Sequence, residues 1–153
     1  METTVPFDVV EPLYEASKEY VYGAGSWSWI IGMDGSTVYD VQKQYIDFTA
    51  EMGYQTVLID ALWDTQIGRD KIADLAAYAK SKGVAIFLWY NSNGYWNNAP
   101  QSPKGIMDNT IIRRREMAWM QSIGIRGIKV DFFGGDKQET IKLYEDIMAD
   151  AND

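Results

Sequence analysis

The chain has 153 residues, 46% apolar and 24% charged, which fits one ordinary globular domain with a core of its own. A formal charge of −8 argues against nucleic acid and against anionic membrane surfaces as partners. With no cysteine and no histidine there is no disulfide framework, no thiolate and no imidazole, so chemistry here must run on carboxylates, a lysine or a tyrosine.

Residues 1–25 read as a lead-in, without the basic region or apolar core of a signal peptide. No apolar run approaches the ~18 residues of a membrane span. The first predicted strand is "SWSWII" (26–31). A helix follows over 37–52, where Val38, Val41, Tyr45, Phe48 and Met52 recur at steps of three and four and form one apolar stripe. "TVLID" (56–60) predicts the second strand, and 69–82 the second helix, with Ile72, Leu75, Ala76 and Ala79 on its apolar face. "VAIFLWY" (84–90) predicts the third strand. A loop of roughly twenty residues comes next, long enough to suggest function. Residues 110–123 predict a helix striped by Met117, Met120 and Ile123. "IKVDFF" (128–133) predicts the fourth strand, and 137–149 a last helix with Ile141, Tyr144, Ile147 and Met148. The helices approach the next strand through "EMGYQT", "SKGVA" and "SIGIRG", where glycine supplies the left-handed residue that closes a helix.

None of the four strand runs alternates cleanly, as expected of parallel strands covered on both faces. Four strand–helix units imply right-handed crossovers and an α/β fold. The choice lies between a flavodoxin-like open sheet and the first half of a (β/α)8 barrel. The expectation here is the parallel (β/α)4 half-barrel over 26–153, stopping after the fourth helix.

In either architecture ligands bind at the C-terminal ends of the strands. Those ends carry Trp27 and Trp29; Asp60, Trp63 and Asp64; Trp89, Tyr90, Asn91 and Asn93; and Lys129 with Asp131. Tryptophan beside Asn and Asp suits a sugar, whose ring stacks on an aromatic plane while its hydroxyls need donors and acceptors. A phosphate site would want arginine and backbone nests, and "GGDK" lacks the spacing of a nucleotide loop. A small anion on an open sheet, and a sugar-binding module without turnover, stand as alternatives.

Each residue also has a plainer reading. Trp27 could be core. Asp60 and Asp64 could cap a loop, and Asn91 and Asn93 could shape a turn. Asp136 and Glu139 form a D-x-x-E pattern that predicts a helix N-cap. Arg113, Arg114 and Arg115 predict a solvated or sheet-edge-covering face. Lys129 and Asp131, two apart and so on one face of a strand, are either a buried ion pair or a catalytic carboxylate whose neighbouring cation keeps it ionised.

The stretches "SWSWI", "YIDFTAEMGYQTVLIDALWD", "LWYNSNGYWN" and "EMAWMQSIGIRGIKVDFFGGDKQ" resemble the catalytic barrel of glycoside hydrolase family 97, which comprises α-glucosidases and α-galactosidases. The likeness runs from about Trp27 to Asn152 and covers the first half of the family's barrel. It implies that Asp131 is the nucleophile of the retaining, α-galactosidase-like branch. The inverting α-glucosidase branch, which uses glutamates as base, is the alternative. The resemblance also implies sugar contacts for Asp60 and Lys129, and the wider reading adds Trp29, Trp63, Trp89 and Asn91 to the substrate-binding rim. It puts the acid/base on a later strand, so this chain alone is expected to be inactive. The family's β-sandwich, second half-barrel and C-terminal β domain are not represented, and either the missing half or self-association is expected to cover the open edges. It further implies calcium with no ligand assignable in this chain, an α-glycoside or oligosaccharide substrate, and a periplasmic or secreted location.

Overall fold

A computed structural model describes residues 20–94 and 96–153, so most of the 1–25 lead-in lies outside the described residues. Four strands, β1 (Gly25–Trp27), β2 (Thr56–Ile59), β3 (Ala85–Asn91) and β4 (Gly127–Asp131), form one sheet in the order β1-β2-β3-β4, every neighbour parallel. Their main crossover helices are α2 (Tyr39–Glu51), α4 (Arg69–Ser81) and α5 (Thr110–Ile123), and α6 (Gln138–Asn152) follows β4. Two short helices, α1 (Trp29–Gly32) and α3 (Trp63–Gln66), sit in the turns after β1 and β2. Strands that follow chain order without reversal wind in one direction, as in a barrel; a flavodoxin-like sheet reverses at a switch point. The fold is an α/β half-barrel.

The register aligns Trp27 with Leu58, Leu58 with Phe87, Trp89 with Lys129 and Asn91 with Asp131. Because side chains alternate, Val57, Ile59, Ile86, Leu88 and Tyr90 point together into a fully buried layer beneath the helices. The opposite face carries Leu58 and Phe87, which stay half-buried. Clean alternation was missing from the sequence because both faces are apolar, yet among the described residues helices cover only one.

Glycine closes the helices as expected: Gly53, Gly83 and Gly124 follow α2, α4 and α5 with φ of 69°, 74° and 84°. Other expectations need correction. The predicted strand 26–31 ends at Trp27, and Trp29 to Gly32 form α1, with Ile30 and Ile31 exposed. The predicted strand 128–133 ends at Asp131, because Phe132 adopts a left-handed φ of 65°. The stripe read on α2 is covered only in part, with Val38, Val41 and Tyr45 half-buried. Gln42, Ile46 and Thr49 are buried instead, leaving Phe48 at 46% and Met52 at 51% exposure. Polar pairing fixes that rotation: Gln42 Nε2 donates to Ser28 Oγ (2.9 Å) and Ser36 O (2.8 Å), while Thr49 pairs with Ser26. On α6, Ile147 is buried but Ile141, Tyr144 and Met148 are exposed. The D-x-x-E cap does not form, since Lys137 is the N-cap residue of α6 and no side chain bonds there.

The arginine run is also corrected. Arg113 is 2% exposed; its Nε donates to Asp150 Oδ2 (2.7 Å) and its Nη1 to Met107 O (2.7 Å), tying α5 to α6. Arg114, at the surface, reaches the other oxygen of the same carboxylate at 2.7 Å. Asp150→Asn removes the counter-charge from a buried guanidinium and is expected to cost about 3 kcal/mol, read as a lower urea midpoint. The pair Arg113→Met with Asp150→Leu should recover most of that loss.

Candidate active site

All four strand ends contribute to one cleft of about 210 Å³. Trp27 comes from the end of β1 and Trp29 and Asp34 from the turn after it. Asp60 and Ala61 follow β2, Trp89 lies on β3, and Gln101 belongs to the long β3–α5 loop. Lys129, Asp131 and Phe132 close the far side from β4. Of the predicted site residues, Trp29, Asp60, Trp89, Lys129 and Asp131 therefore meet in one place.

Lys129 sits at the centre. Its ammonium lies 3.5 Å from Asp60 Oδ2, 3.4 Å from Asp131 Oδ2 and 4.2 Å from the centre of the Trp27 ring. The side chains of Lys129 and Asp131 are 32% and 42% exposed, so the pair opens to the cleft and is not the buried ion pair of the plainer reading. Asp60 is the buried partner. Its Oδ2 accepts from Trp27 Nε1 (2.7 Å) and its Oδ1 from the Ala61 amide (2.7 Å). Trp27 in turn stacks on Trp29, with centroids 5.4 Å apart and planes at 16°, and Trp29 Nε1 donates to Asp34 Oδ1 (2.8 Å).

Burial alone would raise the pKa of Asp131. The Phe132 N–H on Oδ1 (2.8 Å) and the Trp89 indole N–H on Oδ2 (3.3 Å), joined by the Lys129 ammonium, outweigh it and hold the carboxyl below the usual range. The neighbouring lysine expected from the sequence is present, but the two N–H donors do more. Phe132 itself is left-handed, a conformation costly for a bulky residue. Its carbonyl is held by three donors: Ser92 Oγ (3.2 Å), Trp96 Nε1 (2.8 Å) and Asn97 Nδ2 (3.3 Å).

Two predicted sugar contacts lie elsewhere. Trp63 is fully buried on the helix side of the sheet, stacked on Trp119 at 5.8 Å, with its indole N–H on Trp89 O (2.9 Å). Left-handed Leu62 (φ 71°) precedes it and turns the chain there, so it packs as core. Asn91 is fully buried and shapes the loop, donating to Ala99 O and Gln101 O and accepting from the Asn93 amide. Asp64 likewise ties the loop, accepting from Ser102 Oγ (2.6 Å). Tyr90 also leaves the list of proton carriers. It lies under the helices, and burial followed by the Glu116 carboxylate drives its hydroxyl far above the ordinary range.

Asp34, Gln101 and Phe132 line the cleft without having been singled out. Sequence signals for them are faint. "FFGG" marks a turn after β4, but Asp34 and Gln101 come from loops whose reach only the fold reveals. Among the described residues no three acidic side chains converge as a calcium cage requires, so these residues do not by themselves fit that ion. No helix among the described residues is long and apolar enough to cross a membrane.

Comparisons with known proteins point to one family. A "probable retaining alpha-galactosidase" of Streptomyces bingchenggensis is 25% identical over 139 residues, 82% of this chain and 20% of its own length. A "retaining alpha-galactosidase" of Bacteroides thetaiotaomicron is 29% identical over 132 residues, 76% of this chain and 18% of its own. The chain thus spans about a fifth of the curated relatives it matches. A crystal structure of a beta-arabinopyranosidase superposes with a TM-score of 0.91 and 60% identity, covering 99% of this chain and 24% of that one. The family model for glycoside hydrolase 97 matches residues 22–153. The chain belongs to glycoside hydrolase family 97.

Proposed function

We propose that the complete enzyme containing this chain hydrolyses terminal galactose-configured pyranosides with retention of configuration, and that Asp131 is its nucleophile. One observation carries the reading: a carboxylate at the C-terminal mouth of β4, open to an aromatic cleft and kept free of its proton by two N–H donors and an ammonium. Oδ1 is anchored by the short Phe132 bond. Oδ2, with two longer contacts, is the oxygen that attacks the anomeric carbon.

In the first step the Asp131 oxygen forms a bond to C1 while the glycosidic oxygen leaves, taking a proton from a second carboxyl group about 5 Å away. Water then attacks C1, gives its proton to that same group, and frees Asp131. The family resemblance puts the proton donor on a strand beyond residue 153, and any calcium ligands in other parts of the enzyme. Trp29 offers aromatic surface to the ring. Trp89, 1% exposed and so not the stacking platform that the sequence suggested, serves Asp131 through its indole N–H, while Asp60 keeps Lys129 and Trp27 in position.

The substrate reading widens the α-galactosidase expectation. A β-L-arabinopyranoside has the ring configuration of an α-D-galactopyranoside without the C6 hydroxymethyl group. Greater likeness to the beta-arabinopyranosidase than to the galactosidases favours the pentose. An aryl β-L-arabinopyranoside is therefore expected to give a higher kcat/KM than the matching α-D-galactoside.

Asp131→Gly in the complete enzyme should lower kcat by about 10⁴-fold or more. Added azide should restore turnover and release a glycosyl azide of inverted configuration; retained turnover without azide would refute the nucleophile. A sugar-binding module would instead keep its affinity in Asp131→Asn and turn nothing over in the parent.

The acid limb of the pH–kcat/KM profile reports the free enzyme's carboxylate. A depressed pKa keeps Asp131 ionised above its folded value, so the wild-type limb lies below the ordinary carboxylate range. Lys129→Met removes a charge that favours the ionised form. The pKa then rises and the limb moves towards neutral pH; an unmoved limb would mean that Lys129 exerts no hold on Asp131.

A further inference from the structure

The long β3–α5 loop behaves as a fixed wall. Asn91 Nδ2 donates to Gln101 O at 3.2 Å, and the Asn91 amide donates to Pro103 O at 3.0 Å. On the other side the Leu62 amide donates to Ser102 O (2.7 Å), and the Ser102 hydroxyl reaches Asp64. Asn93 accepts from the Gly105 amide at 2.7 Å. Segment 101–105 is thereby bonded to the ends of both β2 and β3. Asn91 is too deep to meet a ligand, yet it holds the backbone of a residue that lines the cleft.

That residue is Gln101. It is half-buried, lines the cleft beside Asp131, and its side-chain amide has no hydrogen-bond partner among the described residues. The other polar groups of the cleft are charged and engaged. Asp60 holds Trp27 and Ala61, Asp34 holds Trp29, and Lys129 bridges two carboxylates. A ring hydroxyl is both donor and acceptor, and so is a carboxamide. We propose that Gln101 is a specificity-determining residue whose amide takes one hydroxyl of the sugar bound against Asp131. The inference rests on the glycosidase reading above. A preformed wall loses little freedom on binding, and a site built to bond a hydroxyl discriminates against sugars that lack it.

The test is binding, so that it does not depend on Asp131 as nucleophile. Affinities of the complete wild-type enzyme and of Gln101→Met and Gln101→Ala are measured by calorimetry for methyl β-L-arabinopyranoside, methyl α-D-galactopyranoside and their 2-, 3- and 4-deoxy derivatives. Methionine preserves the volume of the side chain and guards against a collapsed loop. Expected is a loss of about 5- to 10-fold for both parent glycosides in each variant. For one deoxy derivative, the same in both variants, the loss should vanish. An equal loss on every derivative would make Gln101 merely structural, no loss at all would remove it from the site, and absence of wild-type binding to any of these sugars would overturn the proposal. Failure of the Asp131→Gly experiment with the deoxy pattern intact would instead strike only the nucleophile assignment.

Discussion

A single ammonium group organises the floor of the cleft. Lys129, on β4, holds Asp60 from β2, Asp131 from its own strand and the Trp27 ring from β1. The ammonium lies within 3.5 Å of both carboxylates and so offsets their mutual repulsion. With it, one carboxylate serves as a buried brace and the other remains bare and accessible. The division of labour comes from surroundings: Asp60 is buried and saturated with donors, whereas Asp131 keeps an open side. Parallel pairing makes this possible, because it brings the C-terminal ends of four strands to the same rim.

The helices around this floor differ according to their position in the arc. The central helix α4 buries all four residues of its apolar face. The outer helices α2 and α6 keep apolar side chains in solvent, among them Phe48, Met52, Ile141 and Tyr144. Leu58 and Phe87, on the concave face of the sheet, are likewise only partly covered. These are the surfaces that further strands and helices would meet if the arc were continued into a ring.

Much of this was legible in the sequence. Four apolar runs separated by helical stripes implied a parallel α/β fold, the family resemblance helped to choose the half-barrel, and the Lys129–Asp131 spacing marked two residues that the structure places in the cleft. The rest depended on facts that composition does not carry. Nothing in "SWSWII" signals that the strand stops at Trp27, after which the Ser28 carbonyl accepts from the Ile31 and Gly32 amides and opens α1. Left-handed backbone at Met33, Leu62, Asn93 and Phe132 could not be read either, because none of these is glycine. Trp63 and Trp29 look alike as letters near a strand end. Only the turn at Leu62 sends one into the core, while the other remains at the rim.

The carbonyl of Phe132 collects donors from Ser92, Trp96 and Asn97. None of those three side chains is among the residues lining the cleft, yet they hold the left-handed residue whose amide bonds the Asp131 carboxylate. Exchanges at 92, 96 or 97 would thus reach the Asp131 carboxylate from behind, while every side chain that lines the cleft stays the same.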